Sequence, residues 1–139
     1  GVVRSIMNGE APVLRSDGRF TRDFLYIEDA VDVQLLLAER LAESPELYGE
    51  AFNFSYGDRI EVIDIAKRIC RILDAPFPPV VNENSTAEIT HIELSSEKAK
   101  KQLDWTPSYG FFQGLDRTVH WYRDYFSQLQ LQASPLVGG

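Results

Sequence analysis

The chain has 139 residues, 44% of them hydrophobic and 25% charged, which suits a single soluble globular domain with a real core. Its net charge of −7 argues against nucleic-acid binding, because neutralising phosphates requires a basic face. No apolar run approaches the ~20 residues of a membrane span. The single cysteine, Cys70, excludes a disulfide framework and sits in a helical apolar pattern as an inert thiol suited to a reducing cytoplasm. Gly1-Val2-Val3-Arg4 carries no signal-peptide pattern and no initiator Met, as expected of a piece of something longer.

In chain order, Val2 to Met7 forms the last turns of a helix, closed by Asn8-Gly9 as a left-handed cap. Asp17-Gly18 is a hairpin signal, predicting strands over 11–15 and 20–27 around it. Glu28-Asp29 opens a helix whose apolar stripe runs Ala30, Val33, Leu36, Leu37 and Leu41 and stops before Ser44-Pro45. Ala51 to Ser55 is a short strand, and 61–73 a helix with a wide apolar face around Ile65, Ile69 and Ile72. Pro76-Phe77-Pro78-Pro79 breaks it and leads into Val80-Val81; 82–87 is a loop and 88–94 a strand. Ser95 or Ser96 caps a short helix to Leu103, and the last helix runs from about Phe111 to Phe126. The expected fold class is mixed α/β, with short strands, three to four helices and one domain over 1–127, followed by a flexible tail over 128–139.

Three side chains stand out. Arg22 falls among Phe20, Phe24 and Tyr26 on one strand parity, where a guanidinium needs a partner: either a carboxylate of Asp23, Glu28 or Asp29, or an anionic ligand such as a phosphate. Asn53 lies inside Ala51-Phe52-Asn53-Phe54, where a buried amide must have its hydrogen bonds met, by backbone or by ligand. His91 is one of two histidines and sits on the expected strand as a third candidate. Trp105, Trp121 and Tyr122 have the spacing of packing residues, and His120 that of a surface residue. Glu28 and Asp29 are explained by the helix N-terminus, so no metal is invoked.

Several segments together resemble one family. Thr21-Arg22-Asp23-Phe24-Leu25-Tyr26-Ile27-Glu28-Asp29 is similar to the R-D-[FYW]-[LIV]-[YH]-[VI]-[ED]-D signature of extended short-chain dehydrogenases/reductases, the NAD-dependent nucleotide-sugar epimerases and 4,6-dehydratases. Gly49 to Ser55 resembles their G-E-x-[FY]-N-[IFV]-[GS] strand. Leu94 to Pro107 resembles their D-x-[ST]-K-x-x-x-x-L-[GD]-W-x-P segment, and Gly114-Leu115 through His120-Trp121-Tyr122 their closing helix. The resemblance implies a C-terminal substrate-binding domain lacking its N-terminal Rossmann domain, with a nucleotide diphosphate sugar as ligand. It also implies NAD as cofactor of the intact enzyme, none held by this chain, and a homodimer only in that intact form. On this resemblance Arg22 contacts the diphosphate and Asn53 lies near ribose and phosphates, and His91 remains the third candidate for substrate binding.

Two departures accompany the likeness. The family's R-P-G-x-x-R segment has no arginine in its counterpart, Ser85 to His91, which points away from UDP-galactose and dTDP-glucose branches toward a CDP-glucose 4,6-dehydratase-like one. The catalytic half is missing: no glycine fingerprint precedes a helix, and no tyrosine is followed four positions later by lysine. The isolated chain is therefore expected to bind without catalysing. A stand-alone interaction or regulatory module that keeps the fold is the alternative, and a catalytic domain borrowed from a separate chain is a third.

Overall fold

The computed structural model describes residues 1–82 and 89–133, with side chains to 129. The elements in order are α1 (Val2–Met7), β1 (Val13–Leu14), β2 (Thr21–Arg22), α2 (Ile27–Glu43), a 3-10 turn (Pro45–Leu47), β3 (Ile60–Glu61), α3 (Val62–Ile72), β4 (Val80–Val81), α4 (Glu97–Leu103) and α5 (Phe111–Ala133). They fall into two compact units that interleave along the chain, so no linker marks either of them. The first gathers the described residues of 1–20, 61–82 and 116–133; the second gathers 21–60 and 89–115. The class is the mixed α/β one expected, and five α-helices lie among the described residues, the short α1 included.

In the first unit α1 ends at Gly9, whose φ of +76° lets Gly9 N–H reach Ile6 O and Glu10 N–H reach Ser5 O, the left-handed closure expected of Asn8-Gly9. The turn at 16–19 also forms: Ser16 Oγ accepts from Gly18 N–H, and Asp17 Oδ1 accepts from Arg19 N–H. Its strands do not form a hairpin. β1 pairs in parallel with β4, Val13 opposite Val80 and Leu14 opposite Val81. Gly18, at φ +79°, instead turns the chain against α3: its carbonyl accepts from Ile63 N–H, and a Cβ there would lie 2.7 Å from Ile63 Cβ. The turn chemistry is local, whereas the strand partner arrives from more than sixty residues downstream, which no dipeptide signal specifies. α3 buries Ala66, Ile69 and Cys70, and Arg68 on its flank makes a two-pronged bond to Asp116 of α5, at 2.9 and 2.7 Å. That bond is what holds the Arg68 guanidinium above its ordinary pKa.

In the second unit the core is Val33, Leu47, Ala99, Leu103 and Trp105, with Leu36, Leu37, Leu41, Phe52 and Phe54 packed against it. Of the stripe expected on α2, Val33, Leu36, Leu37 and Leu41 pack here. Phe54 meets Trp105 edge-on at 5.3 Å. α4 begins after Ser96, and its end is set by Asp104 at φ +55°. Segment 51–55 carries no strand pairing, and around 88–94 only His91 forms a bridge, parallel to Thr21, among the described residues.

Two expectations about α5 change. The helix continues to Ala133, beyond Phe126 and into the stretch expected as tail; 134–139 lies outside the described residues. Val119 is wholly buried, but Trp121 is 59% and Tyr122 41% exposed, so only Trp105 of the three packing candidates is a core residue. The helical repeat explains it: two positions from Val119 is about 200° around the axis, which turns Trp121 away from the buried side.

Candidate functional site

Arg22, Asn53 and His91 all lie in the second unit, and the question is what positions each. Thr21 is the pivot. Its N–H donates to Thr90 O and its carbonyl accepts from Ile92 N–H, making the parallel bridge with His91. Thr21 Oγ1 and His91 Nδ1 are 3.1 Å apart, so these two side chains share a face. Strand alternation then sends Arg22 to the other face, where its guanidinium Nη1 donates back to Thr21 O at 2.9 Å and the side chain is half-buried. His91 is thus a neighbour of Thr21 and exposed, rather than a side chain beside the arginine.

Asn53 differs from expectation. Phe52 and Phe54 turn into the core, and the residue between them points away from it. Asn53 is exposed, and its amide has no hydrogen bond among the described residues. The burial inferred from its apolar neighbours fails because alternation in an extended segment separates neighbours onto opposite faces.

The acidic residues beside Arg22 are each engaged by hydroxyls or backbone. Asp23 Oδ2 accepts from Ser55 Oγ at 2.6 Å and from Leu94 N–H at 2.9 Å. Ser55 is buried, its Oγ also accepts from Gly57 N–H, and its carbonyl accepts from Ser96 Oγ. Glu28 receives the hydroxyls of Tyr26 (2.8 Å) and Tyr109 (2.6 Å) on its two oxygens. Asp29, 1% exposed, accepts from Tyr56 OH and, at 2.7 Å, from Ser108 N–H. Burial first, and then the hydrogen bond to Asp29, push the Tyr56 phenol above its ordinary pKa. Both acids sit in the first turn of α2, as expected, though without a side-chain cap bond, and they serve in addition as tertiary anchors.

Sequence reasoning passed over a further pair. Lys98 Nζ bonds Glu50 Oε2 at 2.5 Å and Ala51 O at 2.9 Å, and lies 4.6 Å from the Phe52 ring centroid. Opposite charges at fixed places in two separate motifs were the available signal. Gly114 was another: a Cβ there would meet Tyr26 Cβ at 2.6 Å, so only glycine allows the first turn of α5 this close.

Three of the motifs, and the Gly114-Leu115 start of the fourth, therefore meet within one unit. The arginine segment touches the Asn53 segment through Asp23–Ser55, the Lys98 segment through Asp23–Leu94, and the α5 start through Tyr26–Gly114. Through Asp23–Ser55 the network sets Arg22 and Asn53, each next to or near an anchored residue, on adjoining segments. A guanidinium and an exposed amide so placed are chemically suited to phosphate and hydroxyl groups. The arginine-free stretch Ser85 to His91 lies partly outside the described residues, and only 89–91 can be placed.

A family profile described as the NAD dependent epimerase/dehydratase family matches residues 1–54. A dTDP-glucose 4,6-dehydratase of Xanthomonas campestris pv. campestris is 26% identical over 131 residues, covering 87% of this chain and 36% of that protein. A UDP-glucose 4-epimerase of Mycolicibacterium smegmatis is 23% identical over 86% of this chain and 37% of that protein. Among solved structures, an epimerase from Methanothermobacter thermautotrophicus superposes with a TM-score of 0.81 at 28% identity, covering 93% of this chain and 38% of that one. The UDP-glucose 4-epimerase of Thermotoga maritima, with UDP-glucose, gives 0.77 at 25% identity over 90% of this chain and 38% of that one. The chain spans a little over a third of the length of the curated relatives it matches.

Proposed function

We propose that the chain supplies the nucleotide-sugar-binding portion of an NAD-dependent nucleotide-sugar epimerase or 4,6-dehydratase, a reading that its likeness to such proteins supports. The observation that carries the reading is the Asp23–Ser55 bond, which sets the arginine and asparagine segments side by side. In this reading Arg22 holds the nucleotide diphosphate, Asn53 bonds ribose or phosphate, and His91 is a more distant contact through Thr21. The diphosphate is a non-reacting handle, and holding it orients the hexose for chemistry carried out elsewhere.

NAD and the groups that move hydride and proton belong, in this proposal, to an N-terminal Rossmann domain, and the chain alone is non-catalytic. Among the described residues no helix is long and apolar enough to cross a membrane. This agrees with the proposed cytoplasmic setting. Homodimerisation belongs to the intact enzyme. The base is the least constrained choice: the lack of arginine from Ser85 to His91 favours a CDP-glucose 4,6-dehydratase-like specificity, while relatives are named for dTDP-glucose and UDP-glucose.

The test is an NMR titration of the labelled chain with CDP, GDP, UDP and dTDP. Saturable shifts around Arg22 and Asn53, lost in Arg22→Ala, support a nucleotide half-site and rank the bases. Shifts unaffected by Arg22→Ala refute the arginine's role. An absence of shifts at millimolar ligand means that the site needs its Rossmann domain or that the chain is a stand-alone interaction module, and the upstream sequence decides between them.

A further inference from the structure

The first unit holds a cavity that the nucleotide-sugar reading does not use. It is a cleft open to solvent, of about 710 Å³, lined by Lys67, Cys70 and Arg71 of α3, by Asp74, and by the run Ala75-Pro76-Phe77-Pro78-Pro79 that follows. That volume falls in the range of small-molecule sites. We propose that this cavity binds an organic anion built on a flat ring, a class that includes nucleotides and aryl phosphates.

The argument starts from the two cations. Lys67 and Arg71 are four residues apart on α3, so their side chains stand on one helix face. Arg71 is exposed, and its guanidinium has no hydrogen bond or ion pair among the described residues. Among the described residues the Lys67 ammonium is held only by Asp64, 3.7 Å away and exposed, a contact that a ligand can readily replace. In a chain of net charge −7, two neighbouring cations over a cavity form a local exception to the prevailing field.

The rest of the lining is different in kind. Phe77 is half-buried between prolines that have no backbone N–H to offer, so this wall presents ring faces and methylenes rather than donors. Asp74 and the carbonyl end of α3 both oppose an anion near residues 72–74. A bare phosphate would therefore gain from Lys67 and Arg71 and lose part of it to Asp74. A ligand with its charge toward the cations and its ring on Phe77 and Pro79 avoids that conflict. The two halves of the cavity thus call for two halves of one molecule.

Cys70 provides an internal reporter. It lines the cavity, is the chain's single cysteine, and burial pushes its thiol above the ordinary value. A cavity occupant should shield it further.

The test titrates the isotope-labelled chain with 1-naphthyl phosphate, and separately with inorganic phosphate and with 1-naphthol. The expected result is saturable shifts at the amides of Lys67, Arg71 and Phe77, with either half-ligand binding at least ~10-fold more weakly. Arg71→Gln, at an exposed position that leaves the fold intact, should weaken binding about fivefold or more. Bound 1-naphthyl phosphate should slow the reaction of Cys70 with a thiol reagent. Equal binding of inorganic phosphate, shifts centred on Trp121 and Tyr125 instead, or an affinity unchanged in Arg71→Gln would each overturn the proposal. Shifts at Arg22 and Asn53 report the nucleotide-sugar reading and shifts at Lys67, Arg71 and Phe77 report this one, so the failure of either is read at its own residues.

Discussion

Gly114→Ala sets two known effects against each other and asks the structure to choose the winner. Gly114 lies in the first turn of α5, where alanine is the better helix former by about 1 kcal/mol. Local propensity therefore predicts stabilisation. The structure predicts the opposite, because the added Cβ would fall 2.6 Å from Tyr26 Cβ and 2.7 Å from Cγ. These atoms are next to the backbone and cannot swing away as a side-chain tip could. Relief requires Tyr26 to move, and overpacking of this kind costs about 1–3 kcal/mol. Tyr26 also donates its hydroxyl to Glu28 and its N–H to Tyr56 OH, each bond contributing about 1 kcal/mol. Set against the propensity gain, the net loss is about 2 kcal/mol, which lowers Tm by roughly 6 °C for a chain of this size. Urea and thermal unfolding followed by circular dichroism would measure it. A Gly114→Ala protein as stable as the parent, or more so, would refute the claim that close approach rather than helix geometry requires glycine here.

Tyr56→Phe removes one of two partners of the buried Asp29 and should destabilise by about 2 kcal/mol in urea at neutral pH. Because the folded Tyr56 phenol keeps its proton to higher pH than an unfolded one, the folded state binds more protons above pH ~10. Stability should accordingly fall with rising pH there, and the fall should be shallower in Tyr56→Phe; a slope unchanged by the substitution would contradict the assignment. Lys98→Ala should cost about 1 kcal/mol through loss of Glu50, the Ala51 carbonyl and the Phe52 ring, with the difference shrinking in high salt. Trp105→Ala should cost about 3–5 kcal/mol, whereas Trp121→Ala should stay within about 0.5 kcal/mol and remove the red-shifted part of the tryptophan fluorescence.

Much of the chain was legible from local physics alone. The 3.6-residue stripes of α2 and α3, the glycine stop after α1 and the turn at 16–19 follow from side-chain spacing and from φ values that glycine tolerates, and each involves neighbours a few residues apart. The motif order that carried the family likeness was equally a property of the string, as was the absence of a Tyr-x-x-x-Lys pair. What required the folded chain was every choice among distant partners. β1 had a good turn beside it but took Val80-Val81 as its ladder partner. Asn53 had apolar neighbours but faces outward, and Trp121 had a core residue's spacing but lies on the far side of its helix. The motif acids bond hydroxyls and backbone 32, 71 and 79 residues away, which is how separate segments come to frame one site. Periodicity determines which face of an element is apolar; only the closing of long loops, with their entropy offset by many contacts at once, determines what that face meets.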